Sequence, residues 1–345
     1  RDPDSRRRPG RQTQGTGSGC WELNEAVSDF SEGTASYQLE KPLQCNYVSG
    51  GSNRAQILRV PQYSSCNVAG TVTPLMAWNG SVGGIFAVLC SGALTISGHV
   101  SVDGGAGSTA DGSCVESGGA GVGNGFRGGV GFRSHGTNTG CNGWGETIHA
   151  AQQGESIPGI GVYSQYANGT GGGGGPSDPG FASGSGGGGG YGSQGTSGGG
   201  SDGASTGGYG GGVSGDTTLS QMLMGGGGGG GMKAYSYNVG GGGSGAGIAY
   251  IAARQIVLTG QITANGGNGG NGAQPGGGGA GGSLLIRASN VEIGVNKVIA
   301  IGGIGGTGQN MGGNGGVGRI RIEYCDSVSG TTNPAASAQK LNCYI

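Results

Sequence analysis

Histidine and charged residues are scarce in this chain, and each scarcity removes a class of function. Three histidines and 10% charged residues among 345 leave few groups for acid–base chemistry near neutral pH. Lysine and arginine together number 17 against 18 acidic residues, a formal charge of −1, so no overall field gathers nucleic acid or an anionic membrane. No apolar run approaches the ~20 residues of a membrane-spanning helix. Neither an initiator methionine nor a signal peptide is present, so a chain starting at Arg1 is expected to be a mature product or a piece of a longer precursor. Cysteine is missing from the whole interval between Cys141 and Cys325, which must therefore be ordered without disulfides.

What the sequence has in excess is glycine. With 94 glycines and 10 prolines the composition by itself suits a disordered chain, but a repeated phrase argues otherwise. Ile248-Ala249-Tyr250-Ile251-Ala252-Ala253 returns 35 positions later as Ser283-Leu284-Leu285-Ile286-Arg287-Ala288, and 36 further on as Arg319-Ile320-Arg321-Ile322-Glu323-Tyr324. An earlier copy, Leu94 to Gly104, aligns with Ile256 to Gly266 at an offset of 162. Short β-branched runs punctuated by glycine read as strands, and a period in this range marks a stacked array.

The expected fold is all-β: β-solenoid-like repeats of short strands with an inserted bundle of polyglycine II-type helices. Glycine leaves no Cβ between neighbouring extended chains, so tracts such as Gly225 to Gly231 can pack side by side and satisfy their backbone polar groups on one another. The organisation read from the sequence is a basic arm (1–19), a disulfide-bonded β cap (20–63), a first β-repeat segment (64–103), the glycine-rich bundle (104–246), a second β-repeat segment (247–324) and a disulfide-bonded tail (325–345). Within the insertion, Leu219 to Met224 is the one candidate for a short amphipathic helix, with Asp216, Thr217 or Thr218 as its cap. Aromatics such as Phe126, Phe132, Trp144, Tyr166 and Tyr209 are expected to lie on flat glycine backbone.

Eight cysteines, an even number with no C-x-x-C spacing, point to disulfides in an oxidising compartment and away from zinc. Cys20, Cys45, Cys66, Cys90, Cys114, Cys141, Cys325 and Cys343 are all expected in such bonds, their connectivity open. Asn168 and Asn79 begin N-glycosylation sequons, Asn168 being the preferred one. Arg1, Arg6, Arg7, Arg8 and Arg11 form a basic arm that repels itself and needs a counter-surface; docking on a neighbouring copy would supply one.

Ala77-Trp78-Asn79-Gly80-Ser81-Val82-Gly83-Gly84, Gly125-Phe126-Arg127-Gly128-Gly129, Gln153-Gly154-Glu155-Ser156 and Gly318-Arg319-Ile320-Arg321-Ile322 resemble phrases of the glycine-rich repeat surface proteins of bacteria and some unicellular eukaryotes. The glycine tracts also resemble the glycine-rich region of anaplastic lymphoma kinase family ectodomains. The first resemblance spans roughly residues 55–324 and implies an extracellular surface or appendage protein.

Catalytic signals are weak. Gly195-Thr196-Ser197-Gly198-Gly199 and Gly203-Ala204-Ser205-Thr206-Gly207 match G-x-S-x-G without the strand-to-helix setting a nucleophile elbow needs. No spacing ties His99, His135 or His149 to a serine or carboxylate. Asp103, Asp111 and Glu116 are the first candidates for a glycosidase-like carboxylate pair, and turn roles suit them better. One Arg-Gly-Gly element, at Arg127, is too little for RNA, and the regularity an ice-binding face needs is broken by the island sequences. The expectation is therefore a non-enzymatic extracellular or cell-surface structural protein without a cofactor, a subunit of a filament, appendage or matrix whose partners are copies of itself. The alternative is an adhesin presenting Phe126 to Trp144 and Ile157 to Tyr166 to a glycan or receptor.

Overall fold

The computed structural model describes residues 18–27, 36, 38–48, 55–109, 120–134, 150–176, 183–201, 206–234 and 238–342. Its strands are β1 (Gln62–Tyr63), β2 (Cys66–Val68), β3 (Thr71–Val72), β4 (Ile85–Ile96), β5 (His99–Ser101), β6 (Phe132–Ser134) and β7 (Ser183–Gly184). They continue as β8 (Gly200–Ser201), β9 (Met232–Ala234), β10 (Ile248–Leu258), β11 (Gln261–Thr263), β12 (Ser283–Ile299), β13 (Arg319–Asn333) and β14 (Ser337–Lys340). Ten of them form one sheet, curled into a half-barrel, in which every pairing is parallel.

The sequence repeats are the sheet register. Ile248 pairs with Ser283 and Ser283 with Arg319, so strands 35 and 36 residues apart lie side by side. The 162-residue offset is the pairing of Ile256 with Leu94 and of Ile262 with Val100. Between Ala253 and Gln255 a bulge shifts the register of β10 on β4 by one residue, re-aiming the strand where it bends.

At the starts of β10 and β12 both faces are covered, which is why Ile248 to Ile251 and Leu284 to Ile286 read as unbroken apolar runs. One face carries the main core cluster, with Val88, Leu94, Ile96, Ile251, Ile256, Ile262, Leu284, Ile286, Val291, Ile293 and Val298. The other face presents Ile248, Tyr250 and Leu285, sealed by Trp78, Leu219, Met222 and Met224. The strands turn the corner at stacked glycines. A Cβ on Gly260 would sit 1.8 Å from the Gly98 carbonyl oxygen, and one on Gly98 would sit 2.1 Å from that of Gly70, so no larger residue fits there without moving backbone.

The polyglycine II-type helix bundle expected across 104–246 is not found. Among the described residues there is no helix of any kind. The glycine tracts lie mostly outside regular elements, apart from the small sheet β6-β9-β7-β8. The solenoid expectation holds only in its coarser form, an all-β chain with stacked parallel strands. What orders the tracts is an alternation of hydrogen-bond partners. Gly226 and Gly229 donate to Gly190 and Gly187, Gly227 and Gly230 to Glu155 and Gln152, and Gly228 and Gly231 to Gly243 and Gly240, at 2.8–3.2 Å. Each neighbour is thus met again at every third residue, and the buried amides are satisfied without side chains.

The short helix expected at Leu219 to Met224 is also absent. Asp216 Oδ1 accepts from the Thr218 N–H at 2.8 Å and Oδ2 from the Ser220 hydroxyl at 2.5 Å, bonds that favour a turn over a helix. Leu219 has φ 52°, and its carbonyl accepts from the Trp21 indole at 3.0 Å. The segment therefore plugs the second core as a turn. Burial pushes the Asp216 carboxyl up, but the bonds from Ser220 and Thr218 outweigh it and hold the group below its usual range.

Candidate functional site

Two aromatic pairs mark the surface where the glycine tracts meet the loop from Ile157 to Tyr166. Phe132 and Tyr163 meet edge to face with centroids 4.9 Å apart. Tyr166 and Tyr209 stack at 5.6 Å with their planes 14° apart. Ile160 is 62% exposed, Val162 64%, Tyr163 52% and Tyr166 70%, so four exposed apolar or aromatic side chains recur along one loop. Phe126, counted among the same candidates, is turned instead against Trp78, edge to face at 5.9 Å. Trp144 lies outside the described residues.

Beneath this surface Glu155 is buried and holds three donors. Its Oε2 accepts from the Arg127 N–H at 3.0 Å, from Arg127 Nε at 2.9 Å and from the Trp78 indole at 3.1 Å. The carboxylate thus joins three phrases that sequence reading had kept apart, and its charge is met by a guanidinium. Among the described residues its other oxygen meets only Arg127 Nη2, at 3.5 Å, and it is the 4% exposure of Glu155 that keeps this carboxylate from acting as a base on an outside molecule.

Asp103 is committed in the same way. It accepts at Oδ1 from the Asn265 N–H at 2.6 Å, and at Oδ2 from the hydroxyls of Thr263 at 2.7 Å and Ser101 at 2.9 Å. Since the Thr263 hydrogen points to Asp103, His99 Nε2, 2.7 Å from Thr263 Oγ1, is the donor in that contact. A histidine, a hydroxyl and a carboxylate are therefore in line, but with the hydroxyl in the middle and 4% exposure at Thr263 they are not arranged for nucleophilic attack. Asp111, Glu116, His135 and His149 lie outside the described residues, as does Ser205. Ser197 sits in an irregular segment, where its Oγ accepts from Gly210 at 3.4 Å. No cluster of histidine, cysteine, aspartate or glutamate suited to a metal is found among the described residues.

Cys20 and Cys45 form a disulfide, and Cys325 is disulfide-bonded. Cys114, Cys141 and Cys343 lie outside the described residues. Cys66 and Cys90, expected in disulfides, are instead thiols. Cys90 lies on β4 beside the edge segment carrying Cys66, and its sulfur donates to the Ala93 carbonyl at 3.3 Å, which turns it along its own strand. Burial, then the hydrogen bond to Cys90, push the Cys66 thiol up to about 12.

Both sequon asparagines are engaged in local hydrogen bonds. The Asn168 amide donates inward to the carbonyls of Gly154 at 3.2 Å and Gly159 at 3.1 Å, and Thr170 of the same sequon is buried. Asn79 is exposed and uses only its oxygen firmly, accepting from Ser81 at 2.9 Å and Val82 at 3.0 Å. Arg1, Arg6, Arg7, Arg8 and Arg11 fall outside the described residues.

The glycine-rich phrases that follow β11 and β12 carry a further side-chain pattern. Asn265, Asn268 and Asn271 each accept, through Oδ1, from the backbone of Ile301, Ile304 and Thr307, 36 residues on, at 2.9–3.1 Å. Two rows of exposed side chains spaced three residues apart are thereby locked together, and the aligned phrases Asn-Gly-Gly-Asn-Gly-Gly-Asn and Ile-Gly-Gly-Ile-Gly-Gly-Thr carry the signal. The Tyr166–Tyr209 pair has no such signal, because 43 residues of glycine-rich chain separate its members. No helix of the described residues is long and apolar enough to cross a membrane. Compared with known proteins, the chain matches no family model, no curated protein and no solved structure.

Proposed function

We propose that this chain is an extracellular structural protein, the subunit of a filament, appendage or matrix, in which copies join head to tail by continuing the parallel sheet. The observation that supports this is the pair of open sheet edges. Among the described residues β14 pairs only with β13, β1 and β2 only with β4, and β3 only with β5. Both edges belong to one parallel sheet, so the unpaired groups of one match those of the other in direction, and an open edge is a template for another chain. A contact between two different edges is heterologous and propagates where its rotation does not close. Electron microscopy of concentrated protein should show filaments. Gln339→Pro and Lys340→Pro, made singly because neighbouring N–H groups on a strand point to opposite sides, should include one that folds and stays monomeric. Monomers alone from the unaltered chain at high concentration would overturn the proposal. Deleting residues 1–19 tests separately whether the arginine arm takes part.

The exposed sequence Ile160, Val162, Tyr163 and Tyr166 favours a second reading, an adhesin that offers an apolar strip to the faces of a sugar. Its test is a glycan array on which Tyr163→Ala loses signal while the melting temperature stays within the range of a surface substitution.

A further inference from the structure

We propose that Tyr166 and Tyr209 are a built-in cross-linking pair, joined by oxidative coupling into a dityrosine that staples the cysteine-free middle of the chain. Their ring centroids are 5.6 Å apart and the planes nearly parallel at 14°, within the ~4.5–7 Å range of interacting aromatic pairs. Both are accessible, at 70% and 41%, and neither hydroxyl has a hydrogen-bond partner among the described residues. The pairing does not depend on the rings alone. The Tyr209 N–H donates to the Gln165 carbonyl at 2.9 Å, and the Gln165 side-chain amide donates to the Gly207 carbonyl at 3.0 Å. Gly173 in turn donates to the Tyr209 carbonyl at 2.7 Å. The two backbones are thus pinned next to each other on both sides of the stack, and the phenols meet without a search.

The chemistry needs a one-electron oxidant, for which a peroxide acting through a haem peroxidase is the class. Each phenol hydroxyl gives up one electron and its proton, leaving two phenoxyl radicals. Their odd electrons pair into one carbon–carbon bond between the two Cε atoms ortho to the oxygens. The hydrogen on each of those carbons then moves to the neighbouring oxygen and restores both hydroxyls. Two electrons and two protons leave in all, and one hydrogen peroxide takes them up to become two waters. The proposal holds for a single molecule and stands whether or not copies polymerise.

The test is to treat dilute purified protein with a haem peroxidase and hydrogen peroxide, isolate the monomer, and map it by proteolysis and mass spectrometry. The expected product has dityrosine fluorescence, a mass lower by two hydrogens, and one cross-linked peptide joining Tyr166 to Tyr209. Tyr166→Phe and Tyr209→Phe should each lose that product, whereas Tyr63→Phe, at another exposed tyrosine, should keep it. Coupling only between molecules, cross-links among other tyrosines, or a monomer product that survives both substitutions would overturn the proposal. If either variant fails to fold, the peptide map of the unaltered protein still decides.

Discussion

Replacing Gly229 by alanine should damage this protein as much as emptying part of a hydrophobic core would. A Cβ at Gly229 would lie 1.9 Å from the Gly173 oxygen and 2.5 Å from its carbon, so one segment must retreat by about 1.5 Å to restore ordinary contact at ~3.4 Å. The Gly173 oxygen accepts from Gly187 at 2.9 Å, and Gly229 itself donates to Gly187 at 2.8 Å and accepts from Gly277 at 2.9 Å. Retreat breaks two or three of these bonds, each worth about 1 kcal/mol, and leaves buried groups unpaired at about 1–3 kcal/mol apiece. The sum, at least about 4 kcal/mol, is a large part of the ~5–15 kcal/mol that holds a typical domain together. Gly70 is the control, exposed and with nothing within 4 Å of its Cβ position. There the same substitution should stabilise by about 0.4–1 kcal/mol, by narrowing the unfolded ensemble. Urea unfolding followed by circular dichroism reads both. Gly229→Ala within about 1 kcal/mol of the unaltered protein, or a Gly70→Ala as harmful as Gly229→Ala, would refute the close-packing argument.

Glu155→Ala should destabilise by about 3 kcal/mol or more, since it strips a buried carboxylate from Arg127 and Trp78; a loss under about 0.5 kcal/mol in the same assay would be that of a surface site. Burial raises the Tyr191 phenol above its ordinary value of 10.0, with the Ser283 hydrogen bond and Arg319 opposing. The unfolded chain therefore loses that proton first, and stability should fall as the pH rises through and beyond 10.0. Tyr191→Phe should flatten part of this fall in melts taken at increasing pH, and an unchanged slope would count against it. With a thiol pushed up to about 12, Cys66 should resist alkylation at neutral pH in the folded protein and react on unfolding; rapid labelling of the native chain, mapped by mass spectrometry, would contradict this.

How much the sequence disclosed depended on whether side chains carried the information. The strands were legible because Ile251, Ile286 and Ile322 recur at the spacing by which they pair. The sheet register could be read directly from those alignments. The glycine tracts were not legible, because seven consecutive glycines, Gly225 to Gly231, say nothing about which neighbour each one meets. The alternation that takes Gly226 to Gly190 and Gly227 to Glu155 is set by chains far away in sequence. Local propensity also misled at Leu219, where a run that suits a helix is held in a turn by Asp216 and Trp21. The sequence prefers the Asn168 sequon because the Asn79 side chain can hold a turn, which it does, but the inward bonds of the Asn168 amide to Gly154 and Gly159 leave no trace in the local sequence.

The placement of β4 beside β10 bears on the order in which the molecule assembles. Strands β10, β12 and β13 meet across 35 and 36 residues, but β4 reaches β10 only across 162 or 163. Closing the longer loop costs roughly 1.3 kcal/mol more, by the logarithmic dependence on length, and pairings so distant in sequence form slowly. The C-terminal strands are therefore the natural nucleus, and β4 and β5 must wait, although they precede the glycine region in the chain. During synthesis the Ile85–Ile96 strand is exposed until β10 has been made. Its folding is timed by the passage of some 150 residues of glycine-rich chain, which gives that insertion a kinetic role distinct from any contact it makes.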